Sequence, residues 1–125
     1  MGENKRYAKG YVKSASERGS VNISEEVVTV VAAVAAIDVE GVHGLFVSPG
    51  KELTKMVGEK GVSKGVRLSI DDDDVKIEVN IIVDMGVSIN EVGAQVQRVV
   101  TASVEDAVGM KVSEVNVRIC GIALR

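Results

Sequence analysis

Few side chains in this 125-residue sequence could do chemistry. The two with the widest repertoire, His43 and Cys120, each occur once. A thiol beside an imidazole can become a nucleophile, provided a carboxylate or another group orients the base. His43 sits between Val42 and Gly44 in a glycine-rich corner. Cys120 lies in an alternating run, on its outward side. Nothing near either residue in sequence activates a thiol in the usual way. A surface thiol and a loop imidazole is the expectation. A single cysteine also rules out an intramolecular disulfide or a cysteine-based metal site, which fits a reducing compartment.

Two further clusters invite a chemical reading. Asp71 to Asp74 are four consecutive carboxylates. Calcium loops stagger their ligands and turn on a glycine, whereas adjacent aspartates in a tight turn point in different directions. The run is expected to be a solvated turn. Gly58, Glu59, Lys60 and Gly61 spell the G-x-x-G of a KH clamp, with Lys55 and Lys64 nearby. In a KH module a helix follows that loop and the backbone of four nucleotides is gripped there. Here Val62 and Val66 lead into a strand pattern instead, so nucleic-acid binding through Gly58, Lys60 and Gly61 is a minor alternative. The sequence has no phosphate-binding loop, dinucleotide fingerprint, nucleophile elbow or H-E-x-x-H zinc motif. No enzyme activity, catalytic residue, metal or cofactor is expected.

The elements that would position these residues follow from periodicity. Val21 and Ile23 alternate with Ser20 and Asn22, a short half-buried strand. Ser24 then stands at an N-cap position, with Glu25 and Glu26 in the first helical turn. The helix that follows is apolar on nearly every side and must bury two faces. One stripe is Val27, Val30, Val31, Val34 and Ile37, expected to pack on a sheet. The other is Val28, Ala32, Ala35 and Val39, narrow enough for a close helix–helix contact and expected to form a protein interface. Gly41 and Gly44 make a corner, and Val42 with Leu45 to Val47 reads as a short strand or packed loop. Leu53, Met56 and Val57 suit one or two helical turns. Val66 to Ile70 and Val75 to Val83 alternate around the aspartate turn and read as an antiparallel hairpin with one wet face. Ser88 and Glu91 have capping-box spacing. Ile89, Val92, Val96, Val99, Val100, Ser103 and Ala107 then line one face of a long helix that stops at Gly109. Val112, Val115, Val117 and Ile119 belong to a final strand.

The order β-α-loop-β-β-α-β predicts an α+β fold. It is a two-layer sandwich with two helices on one face of a mainly antiparallel sheet, in a ferredoxin-like or KH-like arrangement. Hydrophobic residues make up 46% of the chain but aromatics only 2%, so Val, Ile, Ala and Leu must build the core. The open sheet face offers Arg67, Lys76, Glu78, Asn80, Asn116 and Arg118 and no ring on which a base could stack, which argues against RRM-type binding. Net charge is −3. Residues 1–18 carry Lys5, Arg6, Lys9, Lys13 and Arg18 against Glu3 and Glu17, and read as a flexible basic arm on an acidic domain spanning 19–125. The N-terminus lacks the apolar core of a signal peptide, and the longest apolar run is too short to cross a bilayer. A cytoplasmic protein that self-associates is expected, without direct membrane insertion.

From Gly19 to Ala123 the sequence resembles the alkaline shock protein family of general-stress proteins. The resemblance is carried by GSVNISEEVV at Gly19–Val28, AAIDVEGVHGL at Ala35–Leu45, KGVRL and VKIEVNIIVDMG between Lys64 and Gly86, and INEVGAQVQRVV and VNVRICGI between Ile89 and Ile122. The aspartate run is longer than the turn such sequences have there, and Met85 stands where an aromatic is common. The resemblance implies a cytoplasmic protein of cell-envelope stress homeostasis found mainly in Gram-positive bacteria. It further implies a membrane-anchored protein partner for some members and a tie to fatty-acid metabolism for others. It supplies no catalytic residue.

Overall fold

A computed structural model describes residues 11–16, 18–47, 65–71 and 74–124. Its elements are β1 (Tyr11–Ser16), β2 (Gly19–Ser24), α1 (Glu25–Ile37), β3 (Val42–Leu45), β4 (Val66–Asp71), β5 (Asp74–Asp84), α2 (Ile89–Val108) and β6 (Glu114–Ala123). The expected two-layer α+β sandwich is what forms. β5 is the axis of the sheet. Its inward residues Val75, Ile77, Val79, Ile81 and Val83 are all buried, while Lys76 and the residues alternating with it face outward. The helices share the inner face and pack against each other, α1 over β3 and β4 and α2 over β6. Among the described residues no polar or charged side chain is buried.

The edges of β5 are used unequally. β6 runs parallel along one edge, from Lys76 opposite Glu114 to Asp84 opposite Ala123. β3 and β4 are both antiparallel to β5 and must therefore share the other edge, end to end. They meet at Asn80. Phe46 N–H donates to the Asn80 carbonyl at 2.8 Å, and Asn80 N–H donates to the Gly65 carbonyl at 2.8 Å. The Asn80 side-chain amide adds a bond to the same carbonyl at 3.2 Å. Two chain segments crowd together there, and a Cβ on Gly65 would lie 2.8 Å from Leu45 Cβ and 3.0 Å from the Phe46 carbonyl oxygen. Gly41 has a parallel role at the corner after α1. Its φ is +100°, and a Cβ would meet Val92 of α2 at 2.7 Å.

Several sequence expectations change. Part of the expected 1–18 arm is strand, because β1 pairs with β2 from Tyr11–Ser24 to Ser16–Gly19. Residues 1–10 lie outside the described residues, as do 48–64 with Leu53, Met56, Val57 and the Gly58–Gly61 loop. β2 joins β1 in a separate two-stranded sheet rather than the main one. Ser24 does cap α1, its Oγ accepting from Glu26 N–H at 3.1 Å. Ser88 makes no side-chain cap bond, so the capping box does not form. The Ser88 carbonyl accepts the first intrahelical bond of α2 from Val92 N–H at 3.0 Å. Gly109 ends α2 in the left-handed region at φ 80°. The buried line of α2 is Val92, Val96, Val100, Val104 and Val108, a straight i, i+4 row, while Ile89 and Ala107 turn outward.

The largest correction concerns α1, whose two stripes exchange roles. Val28, Ala32, Ala35 and Val39 were expected to form an open protein interface. They are 1%, 0%, 8% and 7% exposed, in the core with Ala33 and Ala36. Val27, Val34 and Ile37, expected on the sheet, are 50%, 55% and 45% exposed. Helix axes approach most closely where contact side chains are small. α1 must fit against α2 and the sheet together, so its alanine face turns inward and its bulkier valines stay outside.

Candidate functional site

His43 and Cys120 occupy equivalent places on opposite flanks of β5. The β3 register slips between Val42 and Gly44, making His43 the extra residue of a bulge. The β6 register slips at Ile81/Ile82, making Cys120 the extra residue there. Bulges re-aim side chains. His43 Nδ1 lies 3.1 Å from Asp84 Oδ1, with the two side chains 58% and 44% exposed. Cys120 Sγ lies 3.9 Å from Asn80 Oδ1 and 3.8 Å from the Arg118 carbonyl oxygen. Each residue is engaged with its own polar partner at the surface. The structure does not bring thiol and imidazole into contact with each other.

The aspartate run is described only at its two ends. Asp71 pairs across the hairpin with Asp74, whose Oδ1 accepts from Ser113 Oγ at 3.1 Å. Asp72 and Asp73 lie outside the described residues, as do Gly58, Lys60 and Gly61. Among the described residues no group of three His, Cys, Asp or Glu could hold a metal ion. On the open sheet face Arg118 Nη1 reaches Glu78 Oε2 at 3.4 Å, and acids and bases alternate rather than forming a basic track.

Two apolar surfaces are the more informative features. The first is the outer side of α1. Val27, Val34 and Ile37 are exposed and Val30 and Val31 half-buried, so a continuous apolar strip runs the length of the helix. Acids stand at both ends: Glu25 and Glu26 at the start, Asp38 and Glu40 beyond the finish. No Lys or Arg occurs between residues 19 and 47. The second surface is a groove of about 250 Å³ between α2 and β6, lined by Ile89, Asn90, Gly93, Ala94, Gln97, Val117 and Ile119. Gln97 Nε2 donates across it to the Val115 carbonyl at 3.1 Å. Met85, Ile122 and Leu124 are exposed as well. Sequence reasoning missed this groove. The available signal was Gly93, a glycine set inside an otherwise regular helical pattern.

Among the described residues no helix is long and apolar enough to cross a membrane. The profile of a family with cell envelope-related function matches residues 13–124. Uncharacterized protein YqhY of Bacillus subtilis (strain 168) is 33% identical over 104 residues, covering 83% of this chain and 77% of that protein. Uncharacterized protein YloU of the same organism is 32% identical over 108 residues, covering 83% and 88%. A Streptococcus pyogenes relative, Uncharacterized protein Spy1535, is 30% identical over 105 residues. Solved structures of MamM CTD variants align with a TM-score of 0.48 and 20% identity, over 81% of this chain and 95% of that one. With a matched profile running from the first strand to the end of the last, the chain belongs to the alkaline shock protein 23 family, whose function is cell envelope-related.

Proposed function

We propose that this protein is a non-catalytic component of cell-envelope homeostasis that works by binding other protein chains, copies of itself included. The carrying observation is the outer strip of α1, where Val27, Val34 and Ile37 stay about half exposed after the core is complete. A helix that presents apolar side chains along its outer face is a docking element for a second chain. The acids at its ends specify the chemistry of the partner. Two copies joined antiparallel through α1 would set Glu25 of each against Asp38 and Glu40 of the other, like charges at both ends. A partner segment with an apolar face and Lys or Arg at its flanks suits the strip better, in the helix-against-helix mode. The protein acts in the cytoplasm and meets the membrane through such a partner. The sparse, separately engaged His43 and Cys120 support a binding role over an enzymatic one.

The test has two arms. Sedimentation equilibrium of the wild-type protein should report an associating species, and a plain monomer at high micromolar concentration would remove self-association from the proposal. A synthetic amphipathic helix with Lys-flanked leucines should bind wild type in low salt and lose affinity in Val34→Glu. Equal binding by both proteins would sink the α1 strip as the partner face.

A further inference from the structure

Gly93 is out of place as an internal residue. Glycine weakens a helix interior relative to alanine. A Cβ at Gly93 would meet nothing within 4 Å, so no contact inside the protomer calls for its absence. Gly93 and Ala94 instead thin the wall of the groove beside β6. β6 pairs with β5 along one edge and, among the described residues, with no strand along the other. A free strand edge beside a helix thinned at that point accepts an added strand.

Building on the self-association in the reading above, we infer that β6 pairs antiparallel with β6 of a second copy about a two-fold axis at Asn116, with both α2 helices over the seam. The regular part of β6 runs from Glu114 to Ile119, up to the bulge at Cys120. An axis at Asn116 keeps the pairing within that part. It sets Glu114 opposite Arg118 of the second copy, and Val115 opposite Val117, twice each. Glu114 and Arg118 are both exposed on the outer sheet face. An axis at Arg118 would bring two arginines together, and one at Val117 would carry Glu114 onto the bulge. Opposite charges directly across a strand pair stabilise it and like charges destabilise it, so charge selects the Asn116 register. The interface is isologous and closes as a dimer.

The experiment is a charge swap read by sedimentation equilibrium on the full chain. Glu114→Arg and Arg118→Glu should each weaken dimerisation about tenfold, and the double variant should return to within about twofold of wild type. Asn116→Cys in a Cys120→Ser background should form an intermolecular disulfide on mild oxidation, because the axis sets the two side chains face to face. Gly93→Leu should raise the melting temperature of the dilute monomer yet loosen the dimer, a pair of opposite effects that a purely structural glycine would not produce. A dimer that ignores the single charge changes and gives no cross-link overturns the seam and leaves self-association standing. A monomeric wild type removes self-association itself. An extended peptide binding the groove of a chain that stays monomeric also overturns the inference.

Discussion

Glutamate placed on each side of α1 gives the sharpest test of the inverted helix. Ala32 is fully buried, a member of the core that α1, α2 and the sheet share. A carboxylate there has no described cation within the core and leaves an uncompensated buried charge, costing on the order of 3–5 kcal/mol. That is a large part of the roughly 5–15 kcal/mol that holds a domain folded. Val34 is 55% exposed. Replacing it forfeits about 1 kcal/mol of partial burial at most, offset by a few tenths from the better helix propensity of glutamate. Urea unfolding at neutral pH, followed by circular dichroism, separates the two. Ala32→Glu should lower the midpoint by about 2 M or abolish the transition, while Val34→Glu should stay within about 0.5 M of wild type. The pH dependence has a definite sign. Burial raises the folded-state pKa of the introduced carboxyl, so the penalty is complete above that pKa and eases as pH falls through it. Equal midpoints for the two variants, or a worse outcome for Val34→Glu, would refute the burial pattern and return the alanine stripe to the surface.

Two further outcomes follow from local geometry. Gly65→Ala forces a methyl against Leu45 and the Phe46 carbonyl and should cost about 1–3 kcal/mol in thermal or urea unfolding; a wild-type melting point would mean that β3 and β4 do not meet at Asn80. Ser24→Ala removes a formed cap and should cost about 1 kcal/mol, whereas Ser88→Ala removes none and should cost clearly less. Equal losses at the two serines would show that both caps act.

Most of the elements could be read from the chain. The alternation through Val75 to Val83 requires a strand with one buried face, and five successive alternate residues are buried there. Ser24 and Gly109 mark helix limits because their effects are local, a side-chain oxygen on a nearby N–H and a left-handed backbone turn. Ser88 has capping-box spacing with Glu91 and makes no side-chain bond, because a spacing in sequence does not fix the rotamer that the cap needs. The candidate surfaces were harder to read. A helix with two apolar stripes has no period that ranks one above the other. A free strand edge is invisible in one strand's own sequence, because it depends on which other strands arrive.

By itself, then, the sequence determined the local units: a capped valine-alanine helix, an alternating hairpin, a long amphipathic helix, a closing strand and membership of an envelope-related family. The tertiary structure decided how they are shared. It chose the alanine stripe of α1 for the core because only small side chains let that helix approach α2 and the sheet at once. It set β3 and β4 end to end on β5 because β6 already held the other edge, and by the same arrangement left the far side of β6, among the described residues, without a strand beside Gly93.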